Sequence, residues 1–176
     1  SLLHFIPLII LLPSLCLSLP TSTARGKRLL DNKKEVQALL TWKSSLNNHR
    51  NHPHLSSWVD HGQGPCNWTG IRCDPLGSVN SITLPDSNIK GTLNAFNSSS
   101  FPALQRFSLP ANSFTGEIPN HTTSLPRLAL LNLSHNHLVG TIPPRLSLLK
   151  HLTRLSLAHN HLSGTIPPEI GTLYSL

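Results

Sequence analysis

Two consecutive stretches, LPRLALLNLSHNHLVGTIPPRLSLL (125–149) and KHLTRLSLAHNHLSGTIPPEIGTL (150–173), decide the fold because they are copies of one pattern. A third copy, FPALQRFSLPANSFTGEIPNHTTS (101–124), precedes them and aligns without gaps. Equivalent residues lie 24 positions apart, as three sets show: Asn112, Asn136 and Asn160; Gly116, Gly140 and Gly164; Pro119, Pro143 and Pro167. Internal repetition at this period predicts a solenoid.

Each slot of the repeat has a physical role. Leu131 and Leu133 alternate with polar residues, which indicates a short strand with one buried face. The asparagine that follows carries a donor and an acceptor on one amide, so it can satisfy backbone groups of its own coil and the next. We therefore predict a structural ladder of asparagines: Asn112, Asn136 and Asn160. The glycine permits a tight bend, and Ile-Pro begins an extended stretch.

A degenerate copy comes before the regular ones, with Ile82, Leu84, Ile89 and Gly91 in the matching places and Ser87 in place of the asparagine. No single copy can bury its apolar edge alone. Stacking buries it, and this predicts a curved solenoid whose short parallel strands line the concave face. The sequence stops at GTLYSL (171–176), the opening of another repeat, so we expect a longer parent protein.

The repeats are similar to the plant-specific leucine-rich-repeat class, with consensus LxxLxxLxLxxNxLxGxIPxxLGxL. The preceding region resembles the N-terminal cap of plant receptor-like kinases and receptor-like proteins in four stretches: EVQALLTWKSSL (35–46), LSSW (55–58), CNWTGIRC (66–73) and VNSITLPDSNIKGTL (79–93). The first repeat, GTLNAFNSSSFPAL (91–104), resembles that of receptor-like kinase ectodomains. The resemblance covers about residues 31–176 and implies an α/β solenoid of leucine-rich-repeat coils behind a helical, disulfide-stapled N-terminal cap.

The residues of the cap support this expectation independently. Asn32 and Glu35 have the spacing of a capping box, so we expect a helix to begin there. Val36, Leu39, Leu40 and Leu46 give that helix an apolar face, and we expect Trp42, Trp58 and Trp68 to fill the cap, the alternative being a tryptophan cage for a ligand. Aromatic residues form 5% of the chain, which predicts a core of many small apolar contacts and no large aromatic cluster.

The first 24 residues differ in kind from the rest. They are rich in Leu, Ile and Pro and end in Ser22-Thr23-Ala24, a pattern typical of a signal peptide, here without a starting Met or a basic start. Pro7 and Pro13 argue against the alternative, a membrane anchor. We therefore divide the chain into a signal peptide (1–24), a cap (25–78) and leucine-rich repeats (79–176), and expect passage through the secretory pathway.

Cleavage of that segment would leave two cysteines, Cys66 and Cys73. An even number in an oxidising compartment predicts one disulfide, whereas a zinc site would need two further ligands. Four Asn-x-Ser/Thr sequons are candidate glycosylation sites in a secreted chain: Asn67, Asn97, Asn120 and Asn132. A glycan on Asn132 would block part of the concave face.

Catalytic motifs are absent from the sequence: it has no Walker loop, GxSxG elbow or HExxH. We expect neither an enzyme nor a cofactor. Four histidines cluster between the cap elements and could bind a metal, but a polar loop is the interpretation we adopt: His49, His52, His54 and His61.

The ligand surface should consist of outward positions on the concave strands. Arg106 and Arg154 lie two coils apart with Leu130 between them, an arrangement that favours an acidic peptide or carboxylate. The remaining candidates are Ser108, Asn132, Ser134, His135, His137, Ser156, His159 and His161. Equivalent histidines should stack on adjacent coils about 4.8 Å apart, and we hypothesise a mildly pH-sensitive patch there.

The net charge of +7 does not indicate nucleic acid, because a secreted chain without a basic run favours acidic cell-wall polysaccharide. The resemblance implies an extracellular recognition module that binds a peptide or protein ligand and a co-receptor, attached to the plasma membrane through a downstream segment. The alternatives are a secreted inhibitor resembling polygalacturonase-inhibiting proteins and a truncated product without a function. Four strands offer a face of about 300 Å², well below the roughly 800 Å² of a standard interface.

Overall fold

In a computed structural model, the structure describes residues 22–50 and 52–173, except for the side chains of residues 22–29 and 31. Most of the predicted signal peptide lies outside the described residues, and the division into three segments stays a prediction. The one α-helix in the described chain, α1, spans Ser22–Ser45. None of the helices in the part that the structure describes is long and apolar enough to cross a bilayer.

Eight short strands follow α1. Five of them form the first sheet: β1 (Ile71–Cys73), β2 (Val79–Thr83), β4 (Arg106–Ser108), β6 (Leu130–Asn132) and β8 (Arg154–Ser156). They lie side by side in this order, in which β1 is antiparallel to β2 and all other neighbours are parallel. The parallel part of this sheet is the concave face expected from the repeat, with one strand for each coil.

A second, three-stranded parallel sheet lies further along each coil. It consists of β3 (Lys90–Gly91), β5 (Ser113–Gly116) and β7 (His137–Leu138), and a bridge between Thr141 and Ser163 continues the stacking. Short 3₁₀ helices close the coils at Ser98–Ser100, Asn120–Thr123, Pro144–Leu148 and Pro168–Thr172. The sequence did not predict the second sheet, because its strands are only two to four residues long.

The predicted asparagine positions bond neighbouring coils to one another. Asn136 Nδ2 donates to the carbonyls of Leu133 and Ser134 in its own coil and of Leu109 in the coil before. Its Oδ1 accepts from the backbone N–H of Phe114 at 3.0 Å. Asn112 and Asn160 make equivalent sets of bonds. Each amide therefore supplies donors and an acceptor to backbone groups that the turn leaves without partners.

An aromatic cluster joins the cap to the first coils, so the expectation of a core without one was wrong. Trp42 is fully buried, and its ring centroid lies 5.2 Å from that of Phe96, 6.0 Å from Trp58 and 6.1 Å from both Phe107 and Phe114. All three tryptophans and four of the five phenylalanines belong to this cluster, which Trp68 and Phe101 complete. The tryptophans pack the core as predicted and form no ligand cage.

The start of α1 differs from the prediction. Because the helix begins at Ser22, Asn32 and Glu35 lie inside it and cannot form a capping box. The buried Glu35 carboxylate instead accepts the backbone N–H of Val79 through both oxygens, at 3.1 and 3.2 Å. This contact fixes α1 against the start of β2. Nearby, Lys43 Nζ donates to the Trp58 carbonyl, and desolvation by burial lowers the pKa of Lys43.

The predicted disulfide between Cys66 and Cys73 is present. It links the start of the CNWTGIRC stretch to β1, the antiparallel strand that covers the first edge of the concave sheet. The cap therefore protects the end of the solenoid, where unpaired backbone groups would otherwise be exposed.

Candidate functional site

The register of the concave sheet sets the surface that a ligand would meet. Ile82, Phe107 and Leu131 pair with one another across β2, β4 and β6 and are buried, so the residues on either side of them face outward. One outward column reads Ser81, Arg106, Leu130 and Arg154, and the other reads Thr83, Ser108, Asn132 and Ser156. Stacking by one repeat thus brings six of the eleven predicted ligand residues into two rows.

The first row forms a shallow polar cavity of about 300 Å³. Arg106 and Arg154 are exposed on either side of the half-buried Leu130. Neither arginine side chain forms a hydrogen bond or an ion pair with any residue that the structure describes. The lining contains no acidic side chain; its other members are Asn80, Gln105, Ala129 and Thr153. Two unpaired guanidinium groups facing one recess can bind a carboxylate through paired hydrogen bonds.

Backbone bonds hold these arginines in place. The Gln105 carbonyl accepts the N–H groups of Ala129 and Leu130, at 2.8 and 3.0 Å. One coil further on, the Ala129 carbonyl accepts the N–H groups of Thr153 and Arg154, at 2.8 and 3.1 Å. Each coil therefore fixes where the strand of the next one begins, and the positions of the side chains follow from the repeat.

The second row is less accessible than the sequence suggested. Ser108 in this row and Ser134, which follows β6, are only 8% and 7% exposed, so these two predicted ligand residues offer little surface. Ser134 donates its backbone N–H and its hydroxyl to Asn132 Oδ1, at 3.1 and 2.7 Å. Asn132 and Ser156 are half-buried and remain available in part. Alternation along the strand predicted the outward direction, but it could not show how closely the coils approach.

The histidine slots lie just beyond the strands, and all four side chains are exposed. The ring centroids of His135 and His159 are 4.1 Å apart, and those of His137 and His161 are 5.8 Å apart, with nearly parallel planes in both pairs. The predicted stacking on adjacent coils is therefore present. His135 and His159 both have a φ of +54°, a left-handed conformation that the turn imposes on this slot. The pH sensitivity of this patch stays a hypothesis.

The sequons differ in exposure. Asn67, Asn97 and Asn120 are exposed, whereas Asn132 is half-buried on the concave face. The position of Asn67 inside the disulfide loop therefore does not hide its side chain. Glycosylation at all four stays a prediction.

The loop histidines do not converge. His49, His52 and His54 line one cavity, whereas His61 lines a different one. Within residues 22–50 and 52–173, no three or more His, Cys, Asp or Glu side chains are arranged to hold a metal ion.

Known proteins resemble the chain in both of its parts. The family model described as "Leucine rich repeat N-terminal domain" matches residues 32–74, and the "Leucine Rich Repeat" model matches residues 127–149 and 151–173. The leucine-rich repeat receptor-like serine/threonine-protein kinase RGI4 of Arabidopsis thaliana is 41% identical over 82 residues. That match covers 47% of this chain and 7% of the relative.

Two solved structures extend the likeness to the fold. A chain in the crystal structure of the BIR3–SERK2 complex from Arabidopsis thaliana is 32% identical, with a TM-score of 0.71; the match covers 79% of this chain and 76% of that one. A chain in the structure of the plant peptide hormone receptor RGFR1 in complex with RGF2 is 32% identical, with a TM-score of 0.50, over 63% of this chain and 20% of that one.

Stacked coils behind a disulfide-bonded cap define the molecule as a leucine-rich-repeat solenoid. The cap and the repeats each match a family model, and the assembled fold matches a solved structure. The chain belongs to the plant leucine-rich-repeat family that includes the ectodomains of receptor-like kinases. The relatives are described as receptor-like kinases and as ectodomains, which indicates a cell-surface location for the class.

Proposed function

We propose that the chain is the first part of an extracellular recognition module, in a receptor-like kinase or receptor-like protein that binds a peptide ligand and a co-receptor. The observation that carries the proposal is the concave row in which Arg106 and Arg154 flank Leu130 without an acidic partner among the described residues. A related receptor, RGFR1, is described as a plant peptide hormone receptor in complex with RGF2. Entry into the secretory pathway and attachment to the plasma membrane belong to the same proposal.

The chemistry of the row favours a carboxylate over a neutral group. Two arginines line one recess with a half-buried leucine between them, so an acidic group with an apolar neighbour would satisfy both features. Because four coils form a small surface, the affinity of this part alone should be low, and further coils would supply the rest of the interface.

The test compares synthetic dodecapeptides of mixed sequence that carry either a free or an amidated C-terminus. We expect the protein to bind the free acids about tenfold more tightly, because a charge-assisted hydrogen bond contributes about 1.5 kcal/mol. Arg154→Gln should remove this preference. Arg145→Gln, which takes the same charge from the exposed 3₁₀ helix at Pro144–Leu148, should keep it. Equal losses in both variants would show only general attraction to the net charge.

Sequencing the parent transcript tests the wider assignment. Further 24-residue repeats, an apolar helix of about 20 residues and kinase motifs downstream would support a receptor kinase. A stop codon after a terminal cap, without such a helix, would instead favour a secreted inhibitor.

A further inference from the structure

A second cavity, of about 600 Å³, lies at the opposite edge of the concave sheet. Its walls are the cap segments 47–50 and 52–54 and the turn 86–88, which follows β2. The arginine row described above lies at the first residues of β4, β6 and β8, and the two cavities share no residue. The volume falls within the range of about 300–1,000 Å³ that is typical of small-molecule sites.

Hydrogen bonds between the cap and the first coil brace the walls. Asn48 Nδ2 donates to the Asn88 carbonyl at 2.8 Å, and its Oδ1 accepts the N–H of Lys90 at 3.0 Å. The N–H of Asn47 donates to the Lys90 carbonyl at 2.8 Å. Three bonds across one junction fix the two walls relative to each other, so the cavity is formed before any ligand arrives.

One wall carries a buried imidazole with an unused nitrogen. The His52 side chain is 5% exposed, and its Nδ1 has no hydrogen-bond partner among the described residues. A buried polar atom without a partner costs free energy unless a ligand or a water molecule satisfies it. The ring of His54 lies 5.9 Å from that of His52 and extends the same wall.

The charges in the cavity suit an acidic polar ligand. Arg50 is exposed at its edge and forms no ion pair or hydrogen bond with a described residue, and the same is true of the Asp86 carboxylate. Three histidines join Arg50 on the basic side, while Asp86 is the one acid in the lining. Pro53 is the one apolar residue among those that line the cavity, so most of the lining side chains carry hydrogen-bonding groups.

We propose that this cavity binds a uronic acid residue of an acidic polysaccharide. The sugar carboxylate would pair with Arg50 beside the buried His52, while the ring hydroxyls would donate to Asp86 and to amide oxygens of the lining. A sugar acid needs both donors and acceptors at one place, and this cavity holds both. The site is independent of the proposed peptide row, and the net charge of +7 would favour the approach of a polyanion.

The experiment titrates the full chain with a trimer of galacturonic acid at two salt concentrations and follows binding by calorimetry and NMR. We expect Arg50→Gln to weaken binding about tenfold through loss of a charge-assisted bond. The matched variant Arg145→Gln should change it less than twofold. Asp86→Asn, which is tolerated at a φ of +44°, should also weaken binding, because the carboxylate is replaced by a weaker acceptor. The ring resonances of His52 and His54, which line the cavity, should shift as the trimer is added.

Three outcomes would overturn the proposal. Equal weakening by Arg50→Gln and Arg145→Gln would mean nonspecific attraction. Binding of a neutral galactose trimer with the same affinity would remove the role of the carboxylate, and full competition by a poly-glutamate peptide would assign the cavity to peptides. Arg154→Gln should leave trimer binding unchanged, so failure of this site and failure of the peptide row are separate results.

Discussion

At the scale of single residues, the ladder asparagines carry more backbone bonds than any other side chain in the repeat. The side chain of Asn136 forms hydrogen bonds with one backbone N–H and three backbone carbonyls. Its position could be predicted because it recurs in three copies, and its chemistry could be predicted because an amide both donates and accepts. No recurrence marked His52 or Arg50, which occur once in a loop, and the second cavity was therefore not foreseen.

Replacing Asn136 by Ala tests the ladder. The substitution leaves the Phe114 N–H without its acceptor in the core and removes the inter-coil bond to the Leu109 carbonyl, so we expect the free energy of unfolding to fall by about 3 kcal/mol. Urea denaturation measures the change. Asn94→Ala, at an exposed side chain, should cost less than about 0.5 kcal/mol. A similar, small effect of both would contradict the role of the ladder.

Gly70 tests how closely the cap approaches the first coil. Its φ is +79°, and an added Cβ would lie 2.6 Å from the backbone oxygen of Thr83. Gly70→Ala should therefore lower the free energy of unfolding by more than about 3 kcal/mol, from strain and collision together. Gly62 has a φ of +76° and no atom within 4 Å of such a Cβ, so Gly62→Ala isolates the strain, at about 1 kcal/mol. If chemical denaturation gave the same loss of unfolding free energy for both variants, the collision predicted at Gly70 would be excluded.

At the scale of elements, strands and turns were predicted more accurately than the cap helix. The strands recur every 24 residues and are reinforced by each copy. The start of α1 was judged from one local pattern, Asn32 with Glu35, and a long-range contact used that glutamate instead. Local spacing cannot reveal that Val79, 44 residues away, provides the partner.

Removing the disulfide tests how much the cap depends on it. Because the bridge closes a short loop, Cys66→Ser with Cys73→Ser should cost about 2.5 kcal/mol by the chain-entropy estimate. Chemical denaturation of the oxidised protein and of the double variant gives the difference. In a reducing agent, the unmodified chain should have the same free energy of unfolding as the double variant. A loss of stability in the variant but not in the reduced chain would show that the serines cause it.

At the scale of the whole molecule, the aromatic cluster couples the cap to the coils. Composition revealed that aromatic residues are few, but it could not show that nearly all of them gather at one junction. They do so because the end of a solenoid must be closed by side chains large enough to fill the space between a helix and a curved sheet.

Trp42→Ala should therefore destabilise the cap and the coils together. We expect a loss of about 4 kcal/mol, since a buried tryptophan at the centre of the cluster is removed. Hydrogen exchange should show faster exchange for β2 and β4 as well as for α1. Leu149→Ala, a buried site remote from the cap, serves as the control and should leave protection of α1 unchanged. Faster exchange confined to α1 would mean that the cap folds separately.

The asparagine ladder also bears on how such genes change. Every amide bonds to the coil before it through the same atoms. Any regular coil therefore presents the same bonding groups to whichever regular coil stacks on it. Unequal crossing-over that inserts or removes 24 codons would join two compatible surfaces and leave all bonds matched. Gene lengths in this family can thus change in whole units, whereas one extra residue has to be absorbed within a single coil, as it is between the paired residues Ile82 and Phe107.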